Sequence, residues 1–316
     1  MTYLAALIWI GVALLGGGCA TTATIARPVA AEMPSFVQPS QLAAPRVALV
    51  LSGGAARGFA HIGVLRVLLR EGLRPDLVVG SSAGAIVGAV YASGMPLADI
   101  EALAASLGTA TLLDISLWRM VKEGLGLGLA RGEQLEGFLR NALPAPMQAF
   151  PIPFAAVATD VKTGETVVLN HGDAALALRA SSAVPGLYEP LNINGRMLAD
   201  GQIVSPLPVD TALRLGAQRV VAVDVVYPPQ QASLTNPLDM VFQTVTIGTY
   251  RQMLLERSRA QVVISPAIAA TDGQLGLRDR VMLIEAGERA AEQVLPALRV
   301  LFGRSIGEGQ REPRPD

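Results

Sequence analysis

The sequence predicts an α/β fold, a mainly parallel central sheet flanked by helices. Three observations carry that prediction. Short valine-rich apolar runs alternate along the chain with stretches of helical apolar spacing. The runs are almost continuously apolar, as strands covered on both faces must be. The chain has 316 residues, 51% of them hydrophobic, which is enough to bury one sizeable core.

The elements follow in order. "RVALVLS" (46–52) reads as a strand and "FAHIGVLRVLLREG" (59–72) as a helix. "DLVVG" (76–80) is the next strand, and Ala83 to Ala92 the next helix. "FAAVATD" (154–160), "ETVVLN" (165–170), "VVAVDVV" (220–226) and "QVVIS" (261–265) are further strands. A last helix is expected over about 280–302, with Glu285, Glu288, Arg289 and Glu292 on one face. Val294, Leu298 and Leu301 continue its buried side, so this helix is read as packing.

The flanks differ from this core. Leu4 to Leu15 is an apolar run followed by "GGGCA", which contains Cys19, the only cysteine. Such a run is short for crossing a bilayer but suits the apolar region of a signal peptide. The stretch resembles a bacterial lipoprotein signal; an ordinary cleaved signal or a short N-terminal anchor with an incidental cysteine is the alternative. That resemblance implies a signal peptide over 1–18, lipidation of Cys19 and a tether over 19–45, rich in alanine, threonine and proline. The expected location is then the bacterial cell envelope, anchored to a membrane and facing the periplasm. Several acyl chains would make that attachment durable. Residues 303–316 are a polar tail, leaving 46–302 as one domain.

Composition excludes some functions. A formal net charge of −1 argues against a nucleic-acid face, which would be basic. No basic run suggests a polybasic membrane patch. One cysteine and two histidines, without CxxC or HExxH spacing, give no basis for a metal site, and no cofactor is expected.

The chemistry concentrates at two turns. "LSGGAARGFAH" (51–61) is a glycine-rich loop between strand and helix, where backbone N–H groups can converge at a positive helix end. It lacks the G-K-[ST] ending of a phosphate loop. A dinucleotide fingerprint would need an acid at the end of the next strand, and Gly80-Ser81-Ser82 stands there instead. An oxyanion hole and a plain tight turn remain. The second turn, Gly80-Ser81-Ser82-Ala83-Gly84, fits G-x-S-x-G with Ser82 at the apex and Ser81 turned elsewhere. Two consecutive parallel strands would then end in glycine turns at one sheet edge. A nucleophile and anion donors would thus reach the same carbonyl.

A serine needs a proton acceptor. His61 lies one turn into the helix after the glycine loop and reads as packing beneath it. His171, in "LNHGD", reads as a surface turn, although a Ser-His-Asp arrangement using it stays open. Asp200, in "MLADGQIVSPLPV", follows a short strand and precedes a glycine. An Asp-Gly pair alone is ordinarily just a turn.

Taken together, "SGGAARGFAHIGVL", "GSSAG", "PFAAVATDVKTGE", "ALRASSAVPGLYEPL" and "LADGQIVSPLPV" resemble the patatin-like phospholipase family over nearly all of 46–226. The resemblance implies a three-layer α/β/α fold and a serine–aspartate dyad without histidine. It makes Ser82 the nucleophile and Asp200 its general base. Gly53, Gly54 and Ala55 become the oxyanion hole, and Arg57 the family's basic position. Gly58, Gly80, Gly84 and Gly201 complete the motifs. Ala55 and Gln202 depart from the pattern, which usually has glycine at the first position and glycine or alanine at the second. The implied activity is cofactor-free hydrolysis of ester-linked fatty acids from phospholipids or lysophospholipids. A lipid-binding or regulatory lipoprotein on the same fold is the alternative. Residues 112–129, with Leu117, Trp118, Met120 and Val121, read either as a mobile cover or as an ordinary helix plus loop.

Overall fold

The structure is a computed structural model. It describes residues 32–36, 47–112, 114, 126–143, 145–232, 234–235, 237–268 and 277–303. The expected signal peptide, Cys19, most of the tether, Leu117 to Val121 and the tail beyond Gly303 lie outside the described residues.

The first half runs β1 (Val47–Leu51), α1 (Phe59–Arg70), β2 (Leu77–Ser81), α2 (Ala83–Ala92), α3 (Leu97–Ser106), β3 (Gly128–Ala130) and α4 (Glu133–Ala142). The middle runs β4 (Phe154–Asp160), β5 (Thr166–Leu169), α5 (Ala174–Ser181), β6 (Gly186–Tyr188), β7 (Leu191–Ile193) and β8 (Arg196–Asp200). The last part runs α6 (Val209–Arg214), β9 (Arg219–Val223), α7 (Pro237–Arg257), β10 (Val262–Ile264), α8 (Arg280–Gln293) and α9 (Leu295–Leu301).

Among the described residues the main sheet has eight strands, in the order β10-β9-β1-β2-β4-β8-β7 with β5 beside β4. The neighbours from β10 through β4 are parallel. Every residue of β1 and β2 is buried, as their apolar runs require, and the burial extends to Ser81 at the end of β2. Alternation divides β1 between two cores. Val47, Leu49 and Leu51 join the larger core with residues of α1, α2, α5, α8 and α9. Ala48 and Val50 join the smaller core with Val209 of α6 and Met253 of α7. The result is three layers.

The sheet is mainly parallel as expected, and three features add to or correct the sequence expectation. β5 and β8 are antiparallel to β4. The turn between Asp160 and Thr166 is too short for the crossover a parallel neighbour needs. The helix expected over 280–302 is two helices, broken at Val294. Pro296 there has no N–H to continue the ladder and occupies the start of α9. The 21-residue helix α7 has no counterpart in the sequence reading. Its exposed residues include Val241, Val245 and Ile247, so it carries no clean amphipathic pattern.

The charged residues expected on the last helix do pack structurally. Glu288 lies 3.0 Å from Arg70 and 3.3 Å from Arg66, and Glu292 lies 2.8 Å from Arg70. These pairs tie α8 to α1.

Candidate active site

β4 brings the two key side chains together. Ser81, the last residue of β2, pairs with Val157 of β4. Ala158, the next residue of β4, pairs with Asp200 at the end of β8. Residues far apart in sequence thereby become neighbours across one strand. Ser82 Oγ donates to Asp200 Oδ2 at 2.7 Å, and both residues are buried.

Ser82 sits at φ 51°, ψ −123°, a conformation an L-residue adopts only when its surroundings impose it. Its N–H donates to Ser181 Oγ at 3.0 Å, and Ser181 Oγ donates to Val157 O at 2.6 Å. Its carbonyl accepts from the N–H of Ala85 and Ile86 as α2 begins. Gly84 lets that helix start close against β1. A Cβ there would lie 2.4 Å from the carbonyl oxygens of Leu51 and Ser52. Gly80 pairs with Leu51, so the ends of β1 and β2 are level and their turns adjoin.

Asp200 is fixed from several sides. Oδ1 accepts the N–H of Gln202 at 2.8 Å as the Gly201 turn opens. Its N–H donates to Ala183 O at 2.9 Å, and its carbonyl accepts from Thr159 Oγ1 at 2.7 Å. Burial raises its pKa to about 6, against the lowering effect of the Ser82 and Gln202 hydrogen bonds. An ionised carboxylate with this proton affinity, already bonded to a hydroxyl, can accept that hydroxyl's proton near neutral pH.

The glycine loop divides its duties. The N–H of Gly53 donates to Pro206 O at 3.0 Å, so Gly53 anchors the loop and is not a free donor as the resemblance had implied. Gly54 and Ala55 line the same cavity as Ser82 and Asp200. Their N–H groups meet no acceptor among the described residues. Ala55 adopts φ 48°, so alanine here takes the left-handed conformation that glycine would accept more easily. Gly58 faces Ala83 across the loop and also lines the cavity.

Arg57 does not contribute to the cavity wall. Its NH1 donates to Gln231 Oε1 at 2.9 Å, and its guanidinium lies 5.4 Å from the centre of the Tyr227 ring. It therefore braces the loop through these two contacts. Gln202 lines the cavity, and its Oε1 occupies the space beside Gly53.

The histidines stand elsewhere. His61 is fully buried beneath the loop, its Nε2 2.9 Å from Ser52 O, and burial lowers its pKa to about 4. His171 Nδ1 lies 3.2 Å from Glu32 Oε1, and its residue does not line the cavity. Among the described residues no group of three or more His, Cys, Asp or Glu side chains could hold a metal ion.

The cavity has a volume of about 470 Å³ and is walled mainly by apolar side chains. Val87, Leu103, Leu135 and Phe138 are among the lining residues, and so are Phe242 and Val245 of α7. Leu112, the first residue of the expected cover, also reaches the wall, and its carbonyl accepts from the Tyr188 hydroxyl. Sequence reasoning missed the roles of Thr159 and Ser181. Both lie in motifs that carried the resemblance, but their contacts are tertiary.

Comparisons with known proteins bear on the family. An uncharacterized NTE family protein of Mycobacterium tuberculosis is 37% identical over 194 residues, covering 61% of this chain and 52% of that one. A second uncharacterized NTE family protein, from Mycobacterium bovis, is 27% identical over 291 residues, covering 81% and 48%. The chain thus spans about half the length of either. Lysophospholipase NTE1 of Mycosarcoma maydis is 34% identical over 182 residues, covering 57% of this chain and 10% of that protein. The family model described as patatin-like phospholipase matches residues 49–213, which contain both turns, Ser82 and Asp200. By that match, over more than half its length, the chain belongs to the patatin-like phospholipase family.

Proposed function

We propose that the protein is a serine acyl hydrolase that cleaves ester-linked fatty acids from phospholipids or lysophospholipids. The observation that carries this reading is the 2.7 Å hydrogen bond from Ser82 Oγ to Asp200 inside an apolar cavity. Ser82 Oγ attacks the ester carbonyl carbon as its proton passes to Asp200. The developing oxyanion accepts from the N–H groups of Gly54 and Ala55, beside the positive end of α2. The tetrahedral intermediate collapses to an acyl-Ser82 ester, and the leaving alcohol takes the proton from Asp200. A water molecule then gives a proton to Asp200 and attacks the acyl carbon. The fatty acid departs, and Ser82 regains its proton. Raised proton affinity suits Asp200 to both steps.

A membrane-attached chain would meet such lipids directly. Lipidation of Cys19 and residence in a bacterial envelope remain part of this proposal. The name of the lysophospholipase relative supports lysophospholipids among the substrates. The test is fatty-acid release from defined phospholipids and lysophospholipids by wild type, Ser82→Ala and Asp200→Asn. Loss of release in both variants is expected. Undiminished release by Ser82→Ala would reject the mechanism.

A further inference from the structure

Helix α7 carries an unusual outward surface. Met240, Val241, Ile247, Leu254 and Leu255 are all exposed, by 40% to 66%. At 100° per residue they fall on one face of the helix. Of the acidic and basic residues in α7, Asp239, Arg251, Glu256 and Arg257, only Arg251 shares that face. Soluble surfaces rarely gather so many large apolar side chains without a partner.

The face is continuous with the cavity. Phe242 and Val245 are 46% and 53% exposed, and both also line the cavity that holds Ser82. Thr249, one turn further on, is buried and lines the cavity as well. An apolar chain could therefore pass from the outer face of α7 to the cavity along apolar side chains.

The far end of α7 is fastened. Glu256 accepts from Ser205 Oγ at 3.0 Å and from the Asp210 N–H at 3.3 Å. Arg257 lies 3.1 Å from Asp224. The helix is also held along its inner side, by buried Thr249 and Met253 and by Gln243 Nε2, which donates to Pro229 O at 3.0 Å, and it presents apolar residues on its outer face. No described helix is long and apolar enough to cross a membrane.

We propose that the outer face of α7 docks on a phospholipid bilayer and delivers acyl chains into the cavity past Phe242 and Val245. The occupant follows from that continuity, because the surface leads into a cavity suited to apolar chains. Arg251, with a long apolar stem and a cationic end, fits the phosphate level of such a surface. The direction of delivery rests on the acyl-hydrolase reading, whereas docking itself does not.

The test uses the full chain with Cys19→Ser, so that no lipid is attached, and Ser82→Ala, so that no lipid is consumed. An environment-sensitive fluorophore is placed at Val241→Cys, or in a second protein at Leu255→Cys. The control label is at Val300→Cys on α9, an exposed residue of a helix in the layer across the sheet. Vesicles contain phosphatidylcholine and phosphatidylglycerol with brominated acyl chains. Docking predicts a blue shift and severalfold quenching at 241 and 255, with the label at 300 unchanged. Three results would overturn it: no association with vesicles, association with both α7 labels still in water, or labels shielded before vesicles are added in a protein-concentration-dependent way. The last would assign the face to a second copy of the chain. Hydrolysis of a water-soluble short-chain ester by the Ser82 protein tests the catalytic reading separately.

Discussion

The N–H of Ser82 donates to the hydroxyl of Ser181, which in turn donates to the backbone of β4. The bend that exposes Ser82 Oγ is therefore held by a side chain at the end of α5. Ser181→Ala should leave the Ser82 N–H buried without that acceptor. The expected cost is about 1–3 kcal/mol of stability. A displaced nucleophile should also lower kcat by about a hundredfold. Ser81 provides the contrast. Its hydroxyl is buried with no partner among the described residues, so Ser81→Ala should raise stability by about 1 kcal/mol. Denaturant unfolding of the two variants, with kcat measured alongside, checks both statements.

The proton affinity of Asp200 sets a pH dependence. The free enzyme needs Asp200 ionised, and its pKa is raised to about 6. kcat/KM on a neutral, water-soluble ester should rise through about pH 6 and fall about tenfold per unit well below it. A profile flat from pH 4.5 to 8 would remove Asp200 as the base.

The same shift has a stability consequence of opposite sense. An unfolded aspartate ionises near pH 3.8, whereas folded Asp200 holds its proton to about 6. Between those values the folded state binds more protons, so this group's contribution to stability declines as pH rises. Asp200→Asn keeps the shape without the charge. Its advantage over wild type should grow from roughly half a kcal/mol at pH 4 to about 3 kcal/mol above pH 6. Glu256, also raised by burial, to about 7, is present in both proteins and cancels in the difference. Paired urea titrations across pH 4 to 8 measure this.

The glycine loop gives a double-substitution test. A Cβ on Gly53 would lie 2.2 Å from Gln202 Oε1, the end of a flexible side chain. A Cβ on Gly54 would lie 2.7 Å from Val225 O, which is backbone. Gly54→Ala should therefore displace an anion donor and cost about a hundredfold or more in kcat. Gly53→Ala should also lose activity, but Gln202→Ala should restore much of it. Gln202→Ala should not rescue Gly54→Ala. Initial rates on one soluble ester suffice.

Much of this fold was legible locally. β1, β2 and α2 follow from unbroken valine-rich runs and glycine turns, and the helix at Ala83–Ala92 lies where its sequence places it. The direction of β5 was legible in principle, because a short turn forces antiparallel pairing. α7 was not. Val241, Val245 and Ile247 face outward, and its other side is shared between a core and a cavity. Gly53 looked equivalent to its neighbours because its bond to Pro206 joins segments distant in sequence. Asp200 became identifiable through resemblance, whereas its approach to Ser82 comes from the register of β4 with both β2 and β8.

The most direct measurement is peptide mapping after a fluorophosphonate reagent at pH 7.5, on wild type and Asp200→Asn. A covalent phosphonyl adduct on Ser82 is expected in wild type, with labelling slowed at least about a hundredfold in the variant. An adduct on another residue, or equally fast labelling of Ser82 without the carboxylate, would contradict this mechanism.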